Sequence, residues 1–176
     1  METLITDLAE LQANVAARHD EFDVLRWQLQ LDDAIDDAKL DAWVELVAAP
    51  IVAAIDCTEC ANCCRSLTVG LEEPDIERLA AGLGCTASAV MEAYVDRENA
   101  PAVEEWAIFK HRPCAFLRGK VCGVYEHRPQ VCRLYPQFTP DFRWTLEQMN
   151  DGAALCPIIY NVLSAILERE REIYHL

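Results

Sequence analysis

A chain of 176 residues, 52% of them apolar, is one domain's worth of sequence and can bury a sizeable core. Its net charge of −15, with no basic stripe along it, argues against binding to nucleic acid or to an anionic membrane surface. Nine cysteines in such a chain need a chemical explanation.

METLITDLAE carries acids where a secretory leader has a basic flank, so no signal peptide is expected. No apolar run approaches the ~20 residues of a membrane span, and a cytoplasmic protein is the expectation. Residues 4–29 predict an amphipathic helix. Leu4, Leu8, Leu11, Val15, Phe22, Leu25 and Leu29 fall at spacings of three, four or seven, which is one helical stripe. A second helix is predicted over 33–55, with Ile35, Trp43, Leu46 and Val47 on its inner side and Pro50 ending or kinking it. Together they predict an acidic helical hairpin over 1–56, where three Lys/Arg stand against thirteen Asp/Glu. Its acids read as a solvated face. It is also the expected surface for docking another protein; oligomeric state is not legible.

The cysteine-dense CTECANCC follows at 57–64. A short helix is predicted over 74–82, opened by Pro74 and closed by Gly82 and Gly84. Another starts with Thr86 as N-cap and runs to about Arg97. Cys85, alone between them, reads as a packing residue. From Pro101 the texture changes. RPCAFLRGKVCGVYEHRP predicts a small hairpin tipped by Arg118-Gly119-Lys120, while QVCRLYPQF and DFRWTLEQ read as short extended or irregular segments. Cys156-Pro157 opens a last helix to about Tyr174, with Ile158, Ile159, Val162, Ile166 and Ile173 inward. The expected fold is mainly α, a single domain over 1–176. It comprises the hairpin at 1–56, an irregular cysteine-rich metal-binding centre at 57–157 with at most a small β-hairpin, and a C-terminal helix at 158–176.

Disulfides fit an odd count in a reducing compartment poorly. Thiolates bind soft and borderline metals, and spacing decides which can reach one centre. Cys57-x2-Cys60-x2-Cys63 turns three thiols onto one loop, and a distant Cys-Pro such as Cys156-Pro157 supplies a fourth in many iron–sulfur proteins. Cys64 leaves the backbone in another direction from Cys63, so one ion is not expected to use both. Setting Cys85 aside leaves eight candidate ligands: Cys57, Cys60, Cys63, Cys64, Cys114, Cys122, Cys132 and Cys156. One division groups Cys57, Cys60, Cys63 and Cys156, and separately Cys64, Cys114, Cys122 and Cys132. Arg65, Arg128 and Arg133 are candidates for offsetting thiolate charge. His111 and His127 read as solvated, Tyr125 and Tyr135 as packing residues. No catalytic constellation is visible.

CTECANCCR, RPCAFL, CGVYEHRPQVCRLYP and the late CP resemble, in that order, the CxxCxxCC cysteine-cluster family of zinc- or iron-chelating domains, also called YkgJ-like. EEPDIERLAAGLGCTASAVMEAYV is similar to that family's helical insert. The resemblance covers about residues 57–157. Ala61 departs from it, since a glycine is usual there. It implies metal chelation without naming the metal or the role. A related cysteine-cluster region occurs in flagellin lysine methylases. The chain has no glycine-rich nucleotide loop and no CxxxCxxC spacing.

Three functions follow in order. The first is one or two all-cysteine iron–sulfur centres, of [4Fe–4S] type, in electron transfer, redox sensing or an accessory role. The second is a zinc-stabilised structural or interaction domain. The third is a metal-dependent protein-modifying enzyme or its subunit.

Overall fold

The computed structural model describes residues 3–176; Met1 and Glu2, which open METLITDLAE, lie outside the described residues. In chain order the α-helices are α1 (Leu8–Leu31), α2 (Asp37–Ala54), α3 (Asn62–Ser66), α4 (Glu73–Leu83), α5 (Ala87–Tyr94), α6 (Gln130–Leu134), α7 (Phe142–Ala153), α8 (Pro157–Glu168) and α9 (Glu170–Ile173). The strands are β1 (Gly70–Leu71), β2 (Val95–Asp96), β3 (Ala107–Phe109), β4 (Leu117–Arg118) and β5 (Val121–Cys122). The fold is mainly α, with only small antiparallel strands. The chain divides into two compact units: a helical unit ending at Asp56 and resuming at Pro136, and a cysteine unit over Cys57–Tyr135. Among the described residues no helix is long and apolar enough to cross a membrane.

In the helical unit, Asp7 and Asp36 cap α1 and α2 by accepting from Glu10 N and Lys39 N, each at 3.0 Å. The α1 stripe Leu11, Val15, Phe22, Leu25 and Leu29 is buried. Both α1 and α2 pack chiefly against α7 and α8 rather than on each other. Fully buried leucines such as Leu11, Leu25 and Leu40 each contribute about 1.5–3 kcal/mol through area removed from water.

Three expectations need correcting here. Leu46 is 74% exposed, because Trp43, Val44 and Val47 form the inner face of α2 instead. Pro50 does not end the helix, which runs to Ala54 within the expected 33–55. Proline leaves the Leu46 carbonyl without its helical N–H, and on an exposed face water can take that place. DFRWTLEQ is not extended but the start of α7. Phe142, Leu146, Met149 and Ala153 recur every three or four residues and are buried. Asp41 holds the start of α7, accepting from Asp141 N at 2.8 Å and Phe142 N at 2.9 Å. Arg143, 5% exposed, pairs with Asp37 at 2.5 Å and donates to the Asp32 and Ile35 carbonyls at 2.8 and 2.6 Å. One guanidinium thereby satisfies the connection between α1 and α2. The last helix starts after Cys156 as expected but breaks at Arg169 into α8 and α9.

The cysteine unit is built on α4 and α5. Glu72 and Asp75 form a reciprocal capping box for α4, Pro74 lies in its first turn, and Gly84 closes it at φ 64°. Thr86 caps α5 by accepting from Ala89 N at 3.2 Å. The helix ends at Tyr94, short of Arg97, because the chain enters β2. β2 and β1 flank β3 in a three-stranded antiparallel sheet that the sequence reading does not contain. The expected hairpin is present as β4 and β5, with Leu117 opposite Cys122 and Gly119 at φ 65° in the tip. QVCRLYPQF is corrected to the short helix α6 followed by an extended Tyr135. Leu71, Ile76, Leu79, Val90, Phe109 and Phe116 anchor the core, and Cys114 and Cys122 pack against it.

Candidate metal centre

CTECANCC is two tight turns. Cys57–Glu59 is a single 3-10 turn in which the Cys57 carbonyl accepts from Cys60 N and Ala61 N, both at 3.3 Å. Ala61 then takes the left-handed conformation, φ 57° and ψ 22°, which reverses the chain into α3. The Cys60 sulfur accepts from Asn62 N at 3.4 Å. Cys63 and Cys64 follow on α3 with their sulfurs 4.0 Å apart. A tetrahedral ion with metal–sulfur bonds of ~2.3 Å has sulfurs about 3.8 Å apart, so adjacency does not keep these two from one ion. Arg65 ties the cluster to the hairpin tip. Its guanidinium donates to the Cys60 carbonyl at 2.6 Å and the Gly119 carbonyl at 3.1 Å.

Three further thiols lie in the segments that follow, and one of them is tied to this cluster through the backbone. Cys114 N donates to the Cys64 carbonyl at 2.8 Å. Cys114 precedes β4, and Cys122 lies in β5 opposite Leu117. Cys132 sits in the middle of α6. The four thiols of Cys64, Cys114, Cys122 and Cys132 lie close enough that their charges oppose one another's ionisation. Burial pushes Cys132 up to about 12, with Cys114, Cys64 and Cys122 adding to it and Arg128 working against it. Burial likewise raises Cys114 and Cys122. Cys64 goes the other way, to about 6. The Cys63 thiol donates to its thiolate form, with help from Arg65 and Arg128 against the cost of burial.

A family model for "CxxCxxCC: Putative zinc- or iron-chelating domain" matches residues 56–157. The chain belongs to the CxxCxxCC family. Metal binding is therefore its coarse function, with zinc and iron the two metals of the family's description. No curated protein and no solved structure matches the chain.

The CxxCxxCC residues fit such a group chemically. None of the nine cysteines is in a disulfide. Thiols that raise one another by mutual repulsion need a cation to ionise together, and zinc or iron is one. Arg128 adds a second sign. Its guanidinium lies 3.7 Å over the Tyr125 ring, and its Nε is buried with no hydrogen-bond partner among the described residues, at a site where the thiolate form of Cys122 would be favoured by its charge. Among the described residues, no three His, Cys, Asp or Glu side chains are closed around one ion position.

The remaining candidates are placed differently. Cys57, Cys60 and Cys63 share the first loop, whereas Cys156 belongs to the helical unit, buried at the N-cap of α8. Cys85 is exposed in the α4–α5 connection. His111 is exposed, and the His127 ring lies against Gly82, where an added methyl would meet it at 2.5 Å. Arg133 donates to the carbonyls of Arg128 and Glu126 and so braces the loop before α6. Sequence reasoning missed Asp75, whose buried carboxylate accepts from Gln130 N at 2.9 Å, at the head of the helix carrying Cys132. Its capping-box position was readable; its partner, 55 residues away, was not.

Proposed function

We propose that this chain is an iron–sulfur protein acting in electron transfer, redox sensing or as an accessory subunit. The observation that carries the reading is the folding of CTECANCC into two tight turns with the Cys114 backbone bonded to Cys64, which gathers thiols from the first loop and the next cysteine segment. Cys64, Cys114, Cys122 and Cys132 would hold one [4Fe–4S] centre. Cys57, Cys60 and Cys63, on one loop of the same unit, would serve a second. When bound, such a cluster supplies reversible one-electron chemistry. The chain's own part is to present thiolates, exclude water with the Leu71–Phe116 core, and offset charge through Arg65 and Arg128.

A second reading, a zinc-stapled structural domain, is favoured by the 4.0 Å separation of the Cys63 and Cys64 sulfurs, which matches the edge of a zinc tetrahedron. Anaerobic purification followed by iron, zinc and acid-labile sulfide analysis on one sample separates the two. About four irons and four sulfides per cluster, with broad absorption near ~400 nm, is the expected result. A colourless protein with zinc alone would establish the second reading instead. For a partner, the strong acidity of residues 1–56 supports a basic protein surface docking on the helical unit, an association that weakens as salt rises.

A further inference from the structure

Asp75 is 1% exposed, and each of its acceptors is engaged. Oδ2 accepts from Glu72 N at 3.0 Å, and Oδ1 from Arg78 at 2.6 Å and from Gln130 N at 2.9 Å. The first two bonds are local to α4. The third spans 55 residues and reaches the first residue of α6.

α6 has five residues, little more than one turn, too short to persist by its own propensity. Its leading N–H groups need acceptors from outside, and its N-cap is Pro129, whose ring has no oxygen to offer. Asp75 supplies that acceptor. Cys132 lies two residues further on, about 3 Å along the helix axis from the anchored N–H. A bond at Gln130 therefore fixes both the start and the rotation of the turn that presents Cys132. Arg133, on the same turn, ties it back only to its own preceding loop.

We propose that Asp75 is the positioning residue for Cys132: its bond to Gln130 N keeps this thiol in the set formed with Cys64, Cys114 and Cys122. The proposal rests on the reading that Cys132 is a ligand. It makes a residue of the capping box of α4, more than fifty positions from Cys132, decide how many thiolates reach the metal.

The test is anaerobic titration of cobalt(II) into the reduced full chain after removal of bound metal, read as sulfur-to-cobalt charge-transfer absorption and as affinity. Cys132→Ser sets the reference for a missing thiolate: loss of roughly a quarter of the band of a four-thiolate site and at least about tenfold weaker binding. Asp75→Ala is expected to match it. Asp75→Asn, which keeps an acceptor oxygen, is expected to stay near the wild type. Arg78→Met removes the ion pair and weakens the same end of α4 without touching Gln130, so it should lower stability and leave the spectrum unchanged. Gln130→Pro removes the donor N–H together with an exposed side chain. Proline suits the first helical position, and Pro129 at φ −52°, ψ 154° already has the backbone that precedes a proline. It should give the Cys132→Ser spectrum, and it decides the matter if Asp75→Ala does not fold. Wild-type cobalt spectra and affinity in Gln130→Pro and in folded Asp75→Ala would overturn the proposal. A wild-type spectrum in Cys132→Ser would instead remove the ligand reading on which it rests.

Discussion

Ala61 shows how a single residue sets the cysteine loop. An L-residue in the left-handed region costs roughly 1–2 kcal/mol, which a glycine would avoid. Against that, the Ala61 methyl is 3% exposed, worth about 0.8 kcal/mol in burial, and glycine adds about 0.5–1 kcal/mol of unfolded-chain entropy. The opposing effects nearly cancel. Ala61→Gly is expected to change stability by less than about 1 kcal/mol with metal content unchanged. Ala61→Val, a β-branched residue at positive φ, is expected to lose at least about 2 kcal/mol and much of the metal. Thermal unfolding and metal analysis of the two variants check this; equal behaviour of Gly and Val would refute it. The need for a special backbone was legible at this position, because the resembled family has glycine there. Spacing likewise identified the eight candidate thiols. It could not show that Cys114 is tied to the Cys64 backbone or that Cys122 enters the β4–β5 pair, because both contacts depend on how the chain turns back on itself.

At the scale of elements, the break between α8 and α9 lets the chain's last helix reach α2. Glu172 accepts from Trp43 Nε1 at 3.1 Å and pairs with Arg169 at 2.8 Å, and Arg169 lies 5.5 Å over the Trp43 ring. These contacts, Arg169 first, hold the Glu172 carboxyl at about 2 against an ordinary 4.5. A depressed folded-state value means the contribution to stability is complete above the unfolded value and is lost as pH falls from about 4.5 to about 2. The stability gap between wild type and Glu172→Gln is therefore expected to be constant above pH 5 and to close below it. Denaturant titrations at pH 7, 4 and 2.5 measure it, and a gap that widens in acid would contradict the assignment. Helices with long stripes and recognisable caps, α1, α4, α5 and α8, were readable. α7 was not, because Pro136, Pro140 and the aromatic Trp144 gave DFRWTLEQ the texture of a loop, and only the repeat from Phe142 to Ala153 betrays the helix. Strands of two or three residues such as β1 and β2 are too short for alternation to register, and their pairing with β3 is non-local.

For the whole molecule, the two units draw on different sources of stability. The helical unit buries Phe22, Leu25, Phe142, Leu146, Ile159 and Leu163 in a core of its own. The cysteine unit has short strands, one-turn helices and repelling thiols, and on the proposed reading its metal supplies what the core lacks. Stripping the metal with a chelator is expected to lower amide-exchange protection across 57–135 while α1, α7 and α8 stay protected. Uniform loss, or none, would argue against that division. The linear sequence did not reveal that residues from Pro136 onward join the N-terminal helices, since the partners lie a hundred positions apart, as in Asp41 with Phe142. That discontinuity also orders events on the ribosome. Residues 57–135 emerge before α7 and α8 exist, so α1 and α2 must wait without their packing partners. The inserted cysteine unit can collect its metal while the nascent chain is still growing, and the helical unit closes only once α7 and α8 have followed it.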